Sequence, residues 1–181
     1  MSSFKTRTDY FKRIAIRNKL IAHDGSVLTE DGGLRNAFFR INGEEELMAA
    51  CESWIHFPCV AHIGYDVRFK DTGVGLPRRI TSNHLYFLAK KDTDTFEKEP
   101  DAIEAAYDLA HDAMMQFISY MREDFEVNGS CGQFFLFNLN GAKAEMLDPI
   151  NEKLYGWYLI FEDEKVATEM AYDSPNFFVQ P

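Results

Sequence analysis

The chain has 181 residues, 46% of them apolar, and a formal net charge of −10, which fits one domain with a buried core and is too apolar for disorder by composition. The acidic balance argues against sequence-independent nucleic-acid binding, which relies on Lys and Arg to release counterions. No apolar run approaches the roughly 20 residues that span a bilayer.

Thr8 or Asp9 can cap a first helix running to about His23, with Tyr10, Phe11, Ile14, Ile21 and Ala22 at partial helical spacing. A glycine-broken loop, "HDGSVLTEDGG", leads to a short strand, "NAFFRIN". "GEEELMAACESWI" places three acids in a first turn, where they complement the helix dipole, and predicts a short helix ending before Pro58. From Cys59, "CVAHIGYDVRFKD" puts Ile63, Tyr65, Val67 and Phe69 on one face and His62, Gly64, Asp66, Arg68 and Lys70 on the other, the period of a half-buried strand.

After the loop "TGVGLPRR" comes a second strand, "ITSNHLYFLAKKD". Pro100 and Asp101 open the longest helix, to about Glu126, with an apolar stripe of Ile103, Ala106, Tyr107, Ala110, Met114, Phe117, Ile118, Met121 and Phe125 opposite Glu104, Asp108, Asp112 and Glu123. "GQFFLFNLNGA" and "KLYGWYLIFEDE" read as two further strands flanking a turn-rich segment around Asp148-Pro149. "ATEMAYDSPNFFVQP" has no period and reads as an arm. The order predicts an α+β fold: a mainly antiparallel sheet of about four strands packed against a long helix, with an N-terminal helix and an extended C-terminal arm. Residues 1–165 form the single domain and 166–181 the arm.

Charge is distributed unevenly. Lys5, Arg7, Lys12, Arg13, Arg17 and Lys19 are opposed only by Asp9 in the first nineteen residues, so the rest of the chain carries −15. A basic helix on an acidic body suits head-to-tail docking between copies or onto another acidic protein, and it equally suits a solvated helix face.

Motifs for chemistry are sparse. "CESWIHFPCVAH" brings Cys51, His56, Cys59 and His62 within twelve residues, but the spacing is not that of a zinc site, and strand alternation puts Cys59 and His62 on opposite faces. Buried thiols and surface imidazoles describe these residues better. G-x-S-x-G, H-E-x-x-H and P-loop patterns are absent from the chain. His111 reads as a flank histidine beside Asp108 and Asp112, and His23 as a helix end where an imidazolium suits the dipole. No catalytic residue, cofactor or metal ligand is assigned, and no enzyme is expected. Three cysteines without framework spacing, and an N-terminus lacking the apolar core of a secretory signal, point to assembly in a reducing cytoplasm.

In "LYGWY" both faces of the predicted strand are apolar, so each face is covered by a helix or one meets a partner chain. Gly156 allows a bend or a close backbone approach.

The element order, with "YFKRIAIRNKLIAH", a mid-chain strand pair, the long helix and a closing strand, resembles the small α+β connector proteins of tailed phages, of the tail-terminator and tail-completion type. The pattern of His23, "RNAFFRIN", "FPCV" and "YGWYLIF" is similar to connector or collar proteins of phages infecting gut bacteria, the crAss-like phages among them. The resemblance implies a structural virion protein, assembled in the host cytoplasm, that forms a homo-oligomeric ring of six- or twelve-fold symmetry. Such a ring stacks between neighbouring portal, connector or tail proteins and passes DNA without binding it specifically. It carries over no catalytic, cofactor or metal residues and no membrane partner. The residues expected at protein interfaces are Lys12, Arg13, Arg17, Lys19, Tyr155, Trp157, Tyr172, Phe177 and Phe178. A small cytoplasmic binding or regulatory module is the competing class, and an enzyme with an unrecognised site the third.

Overall fold

The computed structural model describes residues 4–24, 33–53, 55–70, 73, 78–128 and 141–166. The elements in order are α1 (Phe4–Arg17), β1 (Phe38–Ile41), α2 (Glu44–Ser53), β2 (Cys59–Lys70), β3 (Arg78–Lys90), α3 (Glu99–Asn128), β4 (Lys143–Met146) and β5 (Leu154–Val166). The fold is α+β, a sheet of order β1-β2-β3-β5-β4 with α3 and α1 against one face. Among the described strands only the β1–β2 pair is parallel, joined by the α2 crossover, and the others are antiparallel.

Elements from both ends of the described chain share one core. Phe11 of α1 is fully buried, edge-on to His62 of β2 at 4.9 Å and to Phe161 of β5 at 5.9 Å, and packs on Phe117 of α3 at 6.1 Å. Phe87 of β3 meets the same Phe117 at 5.3 Å. The α3 stripe runs through Ala102, Ala106, Ala110, Ala113, Met114, Phe117 and Met121, one turn-spaced row of buried side chains, as its periodicity predicts.

Several boundaries differ from the sequence-based reading. Helix α1 begins at Phe4, before Thr8, and stops at Arg17 rather than His23. The reason is Asn18, whose Oδ1 accepts the backbone N–H groups of Leu20 (3.0 Å) and Ile21 (3.1 Å) while its Nδ2 donates to the Ala113 carbonyl of α3 at 2.9 Å. A side chain that satisfies the following amides competes with continued helix. The start of α2 is held by Glu46, which reaches back to accept the Asn42 N–H at 2.8 Å.

The alternation expected along β2 breaks at a bulge. Three steps from Ile63 to Asp66 oppose two from His84 to Ser82, so side chains beyond the bulge change face. Val67 and Phe69, expected in the core, are 42% and 54% exposed, whereas Cys59 through His62 are fully buried on both faces. Among the described residues the sheet also has a strand, β4, in what reads from sequence as a turn-rich segment. Its "KAEM" alternates polar and apolar residues over only four positions, all of them exposed, and it is a strand because it pairs with the outer edge of β5.

Gly156 lies in an unbroken ladder opposite Leu88, so it marks close approach rather than a bend. A Cβ there would sit 2.0 Å from the Phe87 carbonyl oxygen. Val166, expected to begin the arm, instead ends β5, and the rest of the arm, most of the strand expected at "GQFFLFNLNGA", Trp54 and Cys131 lie outside the described residues.

Candidate interaction surface

The basic first helix is less basic at its surface than its sequence. Arg7 is 1% exposed, and its guanidinium donates to Asn83 Oδ1 at 3.0 Å and Thr81 Oγ1 at 3.3 Å on β3. Lys12, expected at an interface, pairs with Asp24 Oδ2 at 2.8 Å. Of the residues expected at an interface on this segment, that leaves Arg13, Arg17 and Lys19, all exposed, while the Lys5 side chain lies outside the described residues.

Aromatic rings hold two of these cations. The Arg13 guanidinium lies 5.7 Å from the Tyr10 ring centroid, and that of Arg17 lies 5.4 Å from Tyr120, to whose hydroxyl it also donates. Tyr10 in turn donates to Asp124 Oδ2 at 3.1 Å, and burial, reinforced by Asp124, pushes its phenol well above the ordinary range. Among the described residues no carboxylate lies within ion-pair distance of Arg13, Arg17 or Lys19.

Between the end of α1 and α3 runs a groove of about 370 Å³ lined by Ile14, Arg17, Asn18, Lys19, Gln116 and Tyr120. Beside it, on α3, lies a second groove lined by Asp112, Met115, Gln116, Ser119, Tyr120 and Glu123. Gln116 and Tyr120 belong to both, so a basic hollow and an acidic one share a wall. Exposed Met115 adds apolar area to the acidic side.

The other residues expected at interfaces are placed differently. Tyr155 is 3% exposed, stacked edge-on to Tyr107 at 5.3 Å with its hydroxyl donating to the Glu152 carbonyl at 3.2 Å. It therefore presents no surface, because its side of β5 is the side α3 covers. Trp157, on that same side, is half-buried. Its Nε1–H donates to the Tyr107 carbonyl at 3.2 Å and its ring meets His111 at 5.1 Å. Tyr172, Phe177 and Phe178 lie outside the described residues.

The histidines correct two expectations. His62 is fully buried rather than a surface imidazole, with Nδ1 3.2 Å from Thr8 Oγ1. Burial, reinforced by the nearby Arg40, Arg7 and His84, lowers its pKa to about 3. His23 is no imidazolium at a helix end. It is 3% exposed, and its Nδ1 accepts the N–H groups of Ala37 and Phe38, both at 3.1 Å, with Nε2 3.0 Å from Asp24. Accepting two amides requires the neutral ring, and burial lowers its pKa.

Of the candidate metal-binding residues, Cys59 is buried, and His56 Nδ1 accepts the Asn36 N–H at 3.0 Å. On the sheet face away from α3, Arg68 forms a fork to Glu162 at 2.8 and 2.9 Å, beside Ser82 and a His84–Tyr158 contact. No described helix is long and apolar enough to cross a membrane.

Sequence reasoning missed Gln116 and Tyr120. Both follow from α3 periodicity only once α1 is known to cross that part of α3. Comparison with protein-family models and with curated proteins finds no match for this chain.

Proposed function

We propose that this protein works by assembling, as a structural subunit of a homo-oligomeric ring in the head–tail connector or tail of a tailed phage. The observation that carries this reading is the α1 patch of Arg13 and Arg17, seated on rings, and Lys19. In a chain of net charge −10, cations with no carboxylate partner among the described residues are suited to a carboxylate from outside. Stacking on Tyr10 and Tyr120 restricts the two guanidinium groups before a partner arrives, which reduces the ordering cost of docking.

The particular ring comes from the resemblance in element order. It accounts for the acidic balance as well, since carboxylates around a lumen repel DNA phosphates and let the genome pass without sticking. The ring would be six- or twelve-fold, stacked against portal, connector or tail proteins in the virion. Light scattering after size exclusion, with electron microscopy of the eluted peak, tests the reading. Closed rings are expected. A strictly monomeric protein at every concentration would overturn it in favour of a small binding module.

A further inference from the structure

The two grooves that share Gln116 and Tyr120 carry opposite charge on one face of the molecule. We infer that they form a reciprocal contact between two copies of this chain, the Arg17–Lys19 hollow of each seated on the Asp112–Glu123 hollow of the other. The inference rests on the self-assembly reading and deepens it by locating a contact and its symmetry.

Three features favour a second copy as the occupant. The first is charge complementarity within a single face. A half-turn about an axis through the shared wall superimposes basic on acidic twice, the condition for an isologous interface. Secondly, both sets of charges are available. Lys19 and Glu123 have no ion-pair partner among the described residues, and Asp112 reaches only His111 Nδ1, at 3.9 Å. Lastly, the composition of the wall fits an interface centre: the Tyr120 ring, already carrying the Arg17 guanidinium, with Met115 44% exposed beside it. Ser119 is small enough to let an arginine head approach the acidic hollow.

Two bodies of net charge −10 repel at a distance, so a contact between them must bring opposite signs together locally. Duplex DNA is a poorer occupant, because the acidic hollow adjoins the basic one and would meet the same phosphates. A two-fold contact pairs copies and does not close a ring. Ring closure would use another surface, and this one would join two rings or two subunits across a dyad.

The test uses the full chain in two charge-reversed forms, Arg17→Glu with Lys19→Glu, and Asp112→Lys with Glu123→Lys. All four positions are exposed. A parallel pair, Arg17→Gln with Lys19→Gln, keeps the test valid if reversal perturbs folding, which circular dichroism reports. Mass is read by light scattering at low and high salt, for each form alone and for the two reversed forms mixed. Each reversed form alone should show half the wild-type mass, with the dissociation constant raised more than roughly tenfold by like-charge juxtaposition. The equimolar mixture should regain the wild-type mass, and wild type should weaken with salt. Unchanged mass in both reversed forms overturns this contact and leaves the assembly reading standing. Loss without recovery on mixing assigns the basic patch to another surface and also overturns it. A monomeric wild type overturns contact and assembly together. Duplex DNA binding abolished by Arg17→Gln with Lys19→Gln, with mass unchanged, assigns the patch to phosphate instead.

Discussion

Arg7 and Arg17 stand ten residues apart on one helix, yet one is 1% exposed between β3 side chains and the other faces solvent across a tyrosine ring. The flank of α1 bearing Arg7, Phe11 and Ile14 is part of the core. The flank bearing Arg13 and Arg17 contributes charge and little packing. Identical residue types therefore do opposite work, and the phase of the helix against the sheet decides which. If that division is right, substitutions on the first flank act on stability and those on the second act on association.

The largest effect is expected at Phe11, whose ring meets β2, α3 and β5 at once. Phe11→Ala removes a fully buried ring at a junction of four elements that cannot all relax inward, and should cost about 3–5 kcal/mol. Urea denaturation checks this. A loss below about 1 kcal/mol would mean α1 is not part of the cooperative core.

Arg7→Met should cost less, about 2–3 kcal/mol, because the aliphatic stem is replaced while Asn83 Oδ1 and Thr81 Oγ1 lose donors in a buried site. Arg7→Lys should recover only part of the loss, since one ammonium cannot reproduce the two-pronged geometry. Equal stability of wild type and Arg7→Met in chemical denaturation would place Arg7 with the exposed cations.

How far the sequence exposes this division can be judged from the same residues. The α3 stripe and its opposite acids are legible because thirty residues of helix repeat one period. The antiparallel character of β2, β3 and β5 follows from strand pairs around a long helix. Arg7 was invisible because nothing local separates a cation meeting Asn83 and Thr81 from one meeting water. Those partners lie 76 and 74 residues away. The β2 bulge was hidden likewise, since a period-2 count assumes no inserted residue. Of the expected interface, Arg13, Arg17 and Lys19 are at the surface, whereas Tyr155 is interior because strand alternation alone does not say which face a helix will cover.

Acid offers a way to perturb the buried flank of α1 and its surroundings. His62 lies against Thr8 and Phe11 of that flank, with a folded pKa of about 3 against 6.5 for the free side chain. His23, beside Lys12 and Asp24, is shifted in the same direction. The unfolded chain therefore takes up protons first as pH falls. The stability due to the neutral rings is complete above about pH 6.5 and is lost progressively below it, for His62 down to about pH 3. Each histidine contributes a slope of at most about 1.4 kcal/mol per pH unit. Denaturation midpoints between pH 7 and 5, above the carboxylate range, should fall for wild type and fall less steeply for His62→Gln. A flat wild-type profile in that window would contradict neutral buried histidines.

The smallest change in stability belongs to the exposed flank, and there the comparison is decided. Arg13→Gln and Arg17→Gln remove cation–π contacts at exposed sites, each worth roughly 0.5–1 kcal/mol at most. The chain remains strongly acidic, and glutamine retains part of the stem packing on each ring. Thermal midpoints should therefore stay within a few degrees of wild type. Under the same conditions the sedimentation profile of Arg17→Gln should shift toward smaller species, because its guanidinium is held toward the groove while that of Arg13 is not among the groove's lining residues. A variant that loses stability and association in equal measure would show that Arg17 matters through the fold. Loss of association at unchanged midpoint would show that one helix divides its arginines between holding the subunit together and holding subunits to each other.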